Sequence, residues 1–291
     1  MQWLELLFLF IAGVHCRSLN IDHRTKPTAI TDQIIDYVTQ GSLRGVTYNR
    51  LADLADTIGP RLCGNESLDA AVSWVLSAMK AEGLENVRAE PVKIPHWVRG
   101  DERAILLQPR VTKLSMLGLG NSVGTGPNGI RGEVLVVHSF DELNSRCSEA
   151  RNKIVVFNPS CDWQSEPVSC YGPVVAYRVG GASSAAKCGA LASLSRSAAS
   201  RSIDSPHTGV MAYDLKYPKI PAASLSVEHA DMLDRFQQRG QKIEILLYME
   251  AQTLPDVTGF NVVAEIEGST LPNETVLVSG HLDSWDVGQG T

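Results

Sequence analysis

From residue 133 onward the chain alternates short apolar runs with longer stretches of helical period, and this alternation restricts the fold more than any other feature. Residues 133–137 and 153–158 read as strands, and 182–192 and 227–238 as helices. Residues 242–249, 260–266 and 275–279 read as further strands, the last two rich in β-branched side chains. Strands that alternate with helices bury their apolar faces as an α/β module, so the expected fold class is α/β.

Upstream, Leu51, Leu54, Ala55 and Ile58 recur at helical spacing between Thr47, a suitable N-cap, and the stop Gly59-Pro60. A second helix is expected over 67–83, with Leu68, Ala71, Val72, Val75 and Met79 on one face, followed by a strand over 85–94. Ile30, Ile34, Ile35 and Val38 mark a shorter helix before both. Six glycines and Pro127 between Gly118 and Gly132 are too many for a helix or strand interior and read as a loop. Their Gly118-x-Gly120-x-x-x-Gly124 spacing departs from the dinucleotide fingerprint.

A chain of 291 residues with 44% apolar content has room for two domains of about 150 residues each. The balance of 26 Lys+Arg against 32 Asp+Glu, with no basic block, makes nucleic acid an unexpected partner. The longest apolar run, residues 6–14, is nine residues. A bilayer span needs about 20, so none is expected. That run closes at Val14-His15-Cys16, so residues 1–16 read as a secretory signal, although Glu5 is there and neither Lys nor Arg precedes the run. The competing reading is a buried N-terminal helix. Two sequons, Asn65-Glu66-Ser67 and Asn273-Glu274-Thr275, make Asn65 and Asn273 candidate glycosylation sites of a secreted or lumenal chain. Without Cys16, five cysteines remain (63, 147, 161, 170 and 188), so at least one thiol stays free or bridges chains. Cys161 and Cys170 form the expected short bridge, and no C-x-x-C is present for a zinc–thiolate cluster.

The residues with most chemistry in them are His281 and Asp283, at the carboxyl end of the last expected strand, where α/β sheets place their ligand crevices. Residues two apart on extended chain share a face, so Asp283 can hold the His281 imidazole and fix its tautomer for metal ligation. The plainer reading is a strand-end histidine satisfied by a local carboxylate. His15, His23, His96, His138, His207 and His229 read as surface or packing histidines.

The stretch Phe260-Asn261-Val262-Val263-Ala264-Glu265-Ile266-Glu267-Gly268, followed by Val276-Leu277-Val278-Ser279-Gly280-His281-Leu282-Asp283-Ser284-Trp285-Asp286-Val287-Gly288-Gln289-Gly290, resembles the first-metal-ligand region of the two-zinc exopeptidases. Gly59-Pro60-Arg61-Leu62, Ile94-Pro95-His96-Trp97, Arg99-Gly100 and Ser205-Pro206-His207-Thr208-Gly209 are similar to further segments within that family.

The resemblance implies a zinc exopeptidase-type α/β domain, here incomplete, carrying an inserted protease-associated α/β domain. Its parts would be a signal (1–16), a candidate pro-segment (17–45), the first part of the peptidase domain (46–109), the insertion (110–250) and the returning peptidase domain (251–291). The implied site has two zinc ions sharing a water, a bridging carboxylate and a glutamate base. His281 matches a zinc ligand and Asp283 the catalytic-site carboxylate that orients it. Cys63 stands where the family usually has a small hydroxyl residue. The family's bridging aspartate, its base and its remaining ligands match nothing up to Thr291, and a tetrahedral site needs three or four protein ligands. The expectation is therefore a truncated metallo-exopeptidase of carboxypeptidase or dipeptidase type, acting on small peptides in the secretory pathway, lysosome or extracellular space. It would be inactive as this chain and a homodimer when full length. The competing expectation is a non-catalytic secreted fragment or isoform that binds peptides or partners.

Overall fold

The structure, a computed structural model, describes residues 29–163, 167–200 and 203–290. The expected signal, and His15, Cys16 and His23, lie outside the described residues. The chain divides into two compact units, one up to Gly59 and one over Pro60–Gly290.

In the first unit the described elements are α1 (Ala29–Thr39) and α2 (Val46–Thr57). Gly45, with φ +79°, takes the N-cap position of α2 in place of the expected Thr47 and offers no side-chain cap. The apolar residues Ile30, Ile34, Ile35 and Val38 of α1 are exposed.

The second unit opens with α3 (Glu66–Ala81), which buries Leu68, Ala71 and Val72. β1 (Glu85–Val98) pairs antiparallel with β10 (Gln252–Glu265), so both strands run longer than the sequence reading. Between them in sequence lie β2 (Glu102–Gln108), β3 (Thr112–Leu114), β4 (Met116–Gly118), β5 (Ile130–Val137), α4 (Phe140–Ser145), α5 (Cys147–Ala150), β6 (Ile154–Phe157), α6 (Pro167–Lys187), β7 (Ala192–Arg196), β8 (Ala222–Leu225), α7 (Val227–Gln238) and β9 (Glu244–Met249). Their eight strands form one sheet in the order β3-β2-β9-β5-β6-β7-β8-β4, parallel from β5 through β8 and antiparallel elsewhere.

Side chains alternate across a strand, and here both faces are covered. Val134 and Val136 of β5 and Ile154 and Val156 of β6 pack with Leu233 of α7 on one face. Leu135, Val137, Val155 and Phe157 pack with Leu143 of α4 and Ala182, Ala185 and Ala186 of α6 on the other. Burial on both faces explains why these strands read as unbroken apolar runs.

The helix expected over 182–192 is corrected. It spans Pro167–Lys187, and Ala192–Arg196 is strand β7. Gly172 and Pro173 punctuate the sequence of α6 and mask its first half. Apart from Arg196 at the end of β7, strands β7 and β8 are built from Ala, Ser and Leu, with no β-branched residue to announce them. Small residues let α6 approach closely: a Cβ on Gly181 would sit 3.0 Å from the Phe157 ring.

Cys161 and Cys170 are bridged as expected, a second disulfide joins Cys147 to Cys188, and Cys63 is a free thiol. The strand expected over 275–279 is not formed: these residues pair with no strand, and Val276, Leu277 and Val278 are 89%, 83% and 91% exposed. Among the described residues no helix is long and apolar enough to cross a membrane.

Candidate metal centre

His281 and Asp283 lie on the irregular segment that follows β10, beside the turn leading into α3. The His281 Nδ1 is 2.8 Å from the Asp283 carbonyl oxygen and 3.1 Å from its Oδ1. Both neighbours only accept hydrogen bonds, so Nδ1 carries the proton, and in the neutral ring Nε2 keeps the lone pair a metal needs. The imidazole is 84% exposed. The other carboxylate oxygen of Asp283 accepts from the Cys63 thiol at 3.4 Å. Burial and the adjacent Asp283 charge push that thiol up to about 11, so Cys63 is a protonated donor here and not a thiolate nucleophile.

The turn before α3 is pinned at several points. Ser67 Oγ donates to the Pro60 carbonyl at 2.7 Å. Gly64 has φ +92°, and a Cβ there would stand 2.7 Å from the His96 ring. Glycine is therefore required on both conformational and steric grounds. His96 is a packing residue in this arrangement.

Two arginines hold the segment after His281. Arg61, only 4% exposed, donates from Nε to the Leu282 carbonyl at 3.0 Å and from Nη2 to the Gly290 carbonyl at 2.6 Å. Its backbone N–H donates to Ser284 Oγ at 2.9 Å, and its carbonyl accepts from the Ser284 N–H at 2.9 Å. Arg99, 8% exposed, grips Asp286 with both fork nitrogens at 2.7 Å and also donates to the Gly118 carbonyl. Glu102 accepts from the Gly118 N–H at 3.0 Å, and burial raises its carboxyl above the ordinary range against the pull of Arg99. Trp285 lies over Gly120, where a Cβ would meet its ring at 2.7 Å.

Among the described residues no group of three or more His, Cys, Asp and Glu side chains could hold a metal ion. The residues present fit one ligand of a zinc site and its orienting carboxylate, and not a whole site. Of the remaining described histidines, His138 lies between Glu142 and Asp234, His207 meets the Tyr171 ring edge-on, and His229 joins the Ser226 cap of α7. Asn273 is exposed and Asn65, at the N-cap position of α3, is half-buried.

No family model matches the chain. Human carboxypeptidase Q is 49% identical over 303 residues that cover 98% of the chain. The chain is a relative of carboxypeptidase Q. It spans 63% of the human protein's length. The bovine carboxypeptidase Q is 52% identical over 90% of the chain and 54% of its own length. Among solved structures, a peptidase M28 precursor from Shewanella amazonensis SB2B superposes with a TM-score of 0.82 at 30% identity, covering 89% of this chain and 58% of that one. The zinc aminopeptidase BSAP from Bacillus subtilis shares the fold alone, at TM-score 0.54 and 16% identity over 82% of this chain and 51% of its own. The chain therefore has the α/β fold of zinc exopeptidases, in a metallopeptidase family.

Sequence reasoning assigned no role to Arg61, Arg99, Asp286 or the Cys63–Asp283 contact in this carboxypeptidase Q relative. Arg61 and Arg99 meet their partners in the 282–290 loop across 187 to 229 residues, and nothing local distinguishes them from surface arginines. The one available signal was their place in the segments quoted for the family resemblance.

Proposed function

We propose that this chain supplies the first part of a zinc-dependent exopeptidase that hydrolyses small peptides, with His281 as a zinc ligand through Nε2 and Asp283 as the carboxylate that orients it. What carries the reading is the His281 Nδ1 contact with Asp283 Oδ1 at 3.1 Å, which leaves Nε2 as the ligating nitrogen, on a chain 49% identical to human carboxypeptidase Q. Bound zinc would polarise the scissile carbonyl and lower the pKa of a bound water. Asp283 sets the tautomer and the angle of the ring, and the Cys63 thiol steadies the second oxygen of Asp283. The remaining ligands of a two-ion site are not among the described residues, since a zinc site takes three or four protein ligands and no group of three is found there.

The rest of the reading follows from the same likeness. Residues 1–16 are a secretory signal, 17–45 a pro-segment and 110–250 the inserted module, to which most of the eight-stranded sheet between Glu102 and Met249 belongs. Asn65 and Asn273 carry glycan, and the longest natural form is a homodimer in the secretory pathway, lysosome or extracellular space.

The test is hydrolysis of a dipeptide panel by the longest natural form of the protein. Asp283→Asn is expected to cost about 10- to 100-fold, and His281→Ala more, because the first loosens a ligand and the second removes it. The 291 residues alone are expected to give no turnover. Equal losses from both substitutions, explained by unfolding, would leave His281 a structural histidine. Wild-type turnover by His281→Ala would defeat the assignment.

A further inference from the structure

The segment that follows His281 holds no regular element, yet its two ends and its middle are fixed by buried charge. Arg61 binds the carbonyls of Leu282 and Gly290, which bracket the loop, and exchanges two hydrogen bonds with Ser284 inside it. Arg99 holds Asp286 through a two-bond fork and also reaches the Gly118 carbonyl, whose N–H is taken by Glu102 and whose oxygen also accepts from Thr208. Trp285 closes the contact over Gly120. Both arginine residues are more than nine-tenths buried. A buried arginine is costly unless every donor is matched, and a planar fork matched this way fixes angle as well as distance.

We propose that Arg61 and Arg99 are positioning residues, a pair of buried clamps that set where the His281 imidazole stands by holding the 282–290 loop against the turn before α3 and the edge of the eight-stranded sheet. The proposal rests on the reading of His281 as a zinc ligand. It also gives the sheet module a direct part in the site. Through Gly118, which accepts from Arg99, and Gly120, under Trp285, the module meets the loop that carries Asp283 and follows His281. Asp283 orients the His281 ring, and the Asp283 carboxylate in turn accepts from Cys63 and lies in the field of the Arg61 guanidinium, so the aim of the ring depends on the loop's placement.

The experiment measures zinc affinity by chelator competition on the longest natural form of the protein. The variants are Arg61→Met, Arg99→Lys and the double substitution Arg99→Met/Asp286→Leu. Arg99→Lys keeps the charge and stem and loses the fork, and the double substitution removes both charges together so that neither is left buried alone. Arg88→Ala, on the exposed ribbon pair with Glu90 and Glu265, is the control. Each clamp variant is expected to fold and to bind zinc about 10- to 100-fold more weakly, the range for lost support around a ligand, with kcat falling and KM little changed. Folded clamp variants with wild-type zinc affinity would overturn the proposal. If Arg61→Met fails to fold, Ser284→Ala replaces it, removing one bond to Arg61 while sparing the buried charge, with a smaller loss of affinity expected and no loss contradicting the clamp. His281→Ala separates the two ideas. If it keeps its zinc, the ligand reading fails. If it loses zinc while the clamp variants keep theirs, only the clamp fails.

Discussion

Val134-Leu135-Val136-Val137 and Val276-Leu277-Val278-Ser279 are nearly the same four residues, and they have opposite fates. The first lies in β5, between β6 and β9, with helices on both faces, and its side chains are at most 8% exposed. The second pairs with nothing among the described residues, and its apolar side chains are at least 83% exposed. Intrinsic preference is the same, so the difference lies in partners. A strand is completed by its neighbours, and β propensity records the fit to a half-built surface more than a backbone choice. His281 sits at the end of the unpaired copy, which is why its surroundings come from the Arg61 and Arg99 contacts and not from a ladder.

The largest test of this contrast puts a charge into each copy's environment. Val156→Asp, at a fully buried position of β6, should abolish cooperative folding, a loss above about 4 kcal/mol in denaturant unfolding. Val278→Asp should change stability by no more than about 0.5 kcal/mol. Similar losses at both sites would break the comparison.

The disulfides sharpen it on the folded side. Loop-closure entropy gives about 4 kcal/mol for the Cys147–Cys188 bridge, which spans 41 residues, and about 2.5 kcal/mol for Cys161–Cys170, which spans 9. Replacing each pair by serines and comparing unfolding free energies should reproduce that order. The reverse order would mean that native-state effects outweigh chain entropy.

How much of this was legible in the sequence follows the same physics. The α/β class, helices α2, α3 and α7, strands β1, β5, β6 and β9 and the Cys161–Cys170 bridge were readable because period and apolar content agreed. β7 and β8 were missed because a strand buried under a close-packed helix uses Ala and Ser, and β2 because its Glu102 and Arg103 mask the apolar alternation. The 275–279 run misled for the opposite reason, having every local mark of a strand and no partner. At the site, spacing alone favours a histidine satisfied by a local carboxylate, and the metal-ligand reading of His281 and Asp283 comes from the family resemblance; the structure brings the two side chains together at 3.1 Å. Arg61, Arg99 and Asp286 were not legible, since long-range burial leaves no local trace.

His138 gives a smaller, pH-dependent effect within the sheet module. Burial pulls its imidazole down, and the bonds to Asp234 and Glu142 more than reverse this, leaving it above the ordinary histidine value. Glu142 is held below the ordinary carboxylate value: burial pushes it up, and its bonds with the His138 N–H groups and Arg146 outweigh that. A raised histidine stabilises fully below its unfolded value, about 6.5, and that contribution fades as pH rises through the folded value. The carboxylate's contribution is present above its unfolded value, about 4.3, so both act together between about pH 4.5 and 6.5. The side chain is 41% exposed, so the gain over His138→Gln should stay below about 1 kcal/mol. Unfolding midpoints of both proteins across pH 5 to 8.5 should converge at the alkaline end; a constant difference would contradict the ion-pair account.

The smallest effect concerns the exposed copy. Leu277→Lys should leave stability within about 0.5 kcal/mol and reduce self-association in light scattering, because an exposed apolar run with open backbone groups is a pairing template.

The central claim is that His281 ligates zinc with its ring fixed by Asp283. Zinc content per folded molecule, measured on the longest natural form of the protein as wild type, Asp283→Asn and His281→Ala, tests it most directly. The account predicts full zinc in the wild type, weaker retention in Asp283→Asn and loss from the His281 site in His281→Ala. A folded His281→Ala protein with the wild-type zinc content would contradict it.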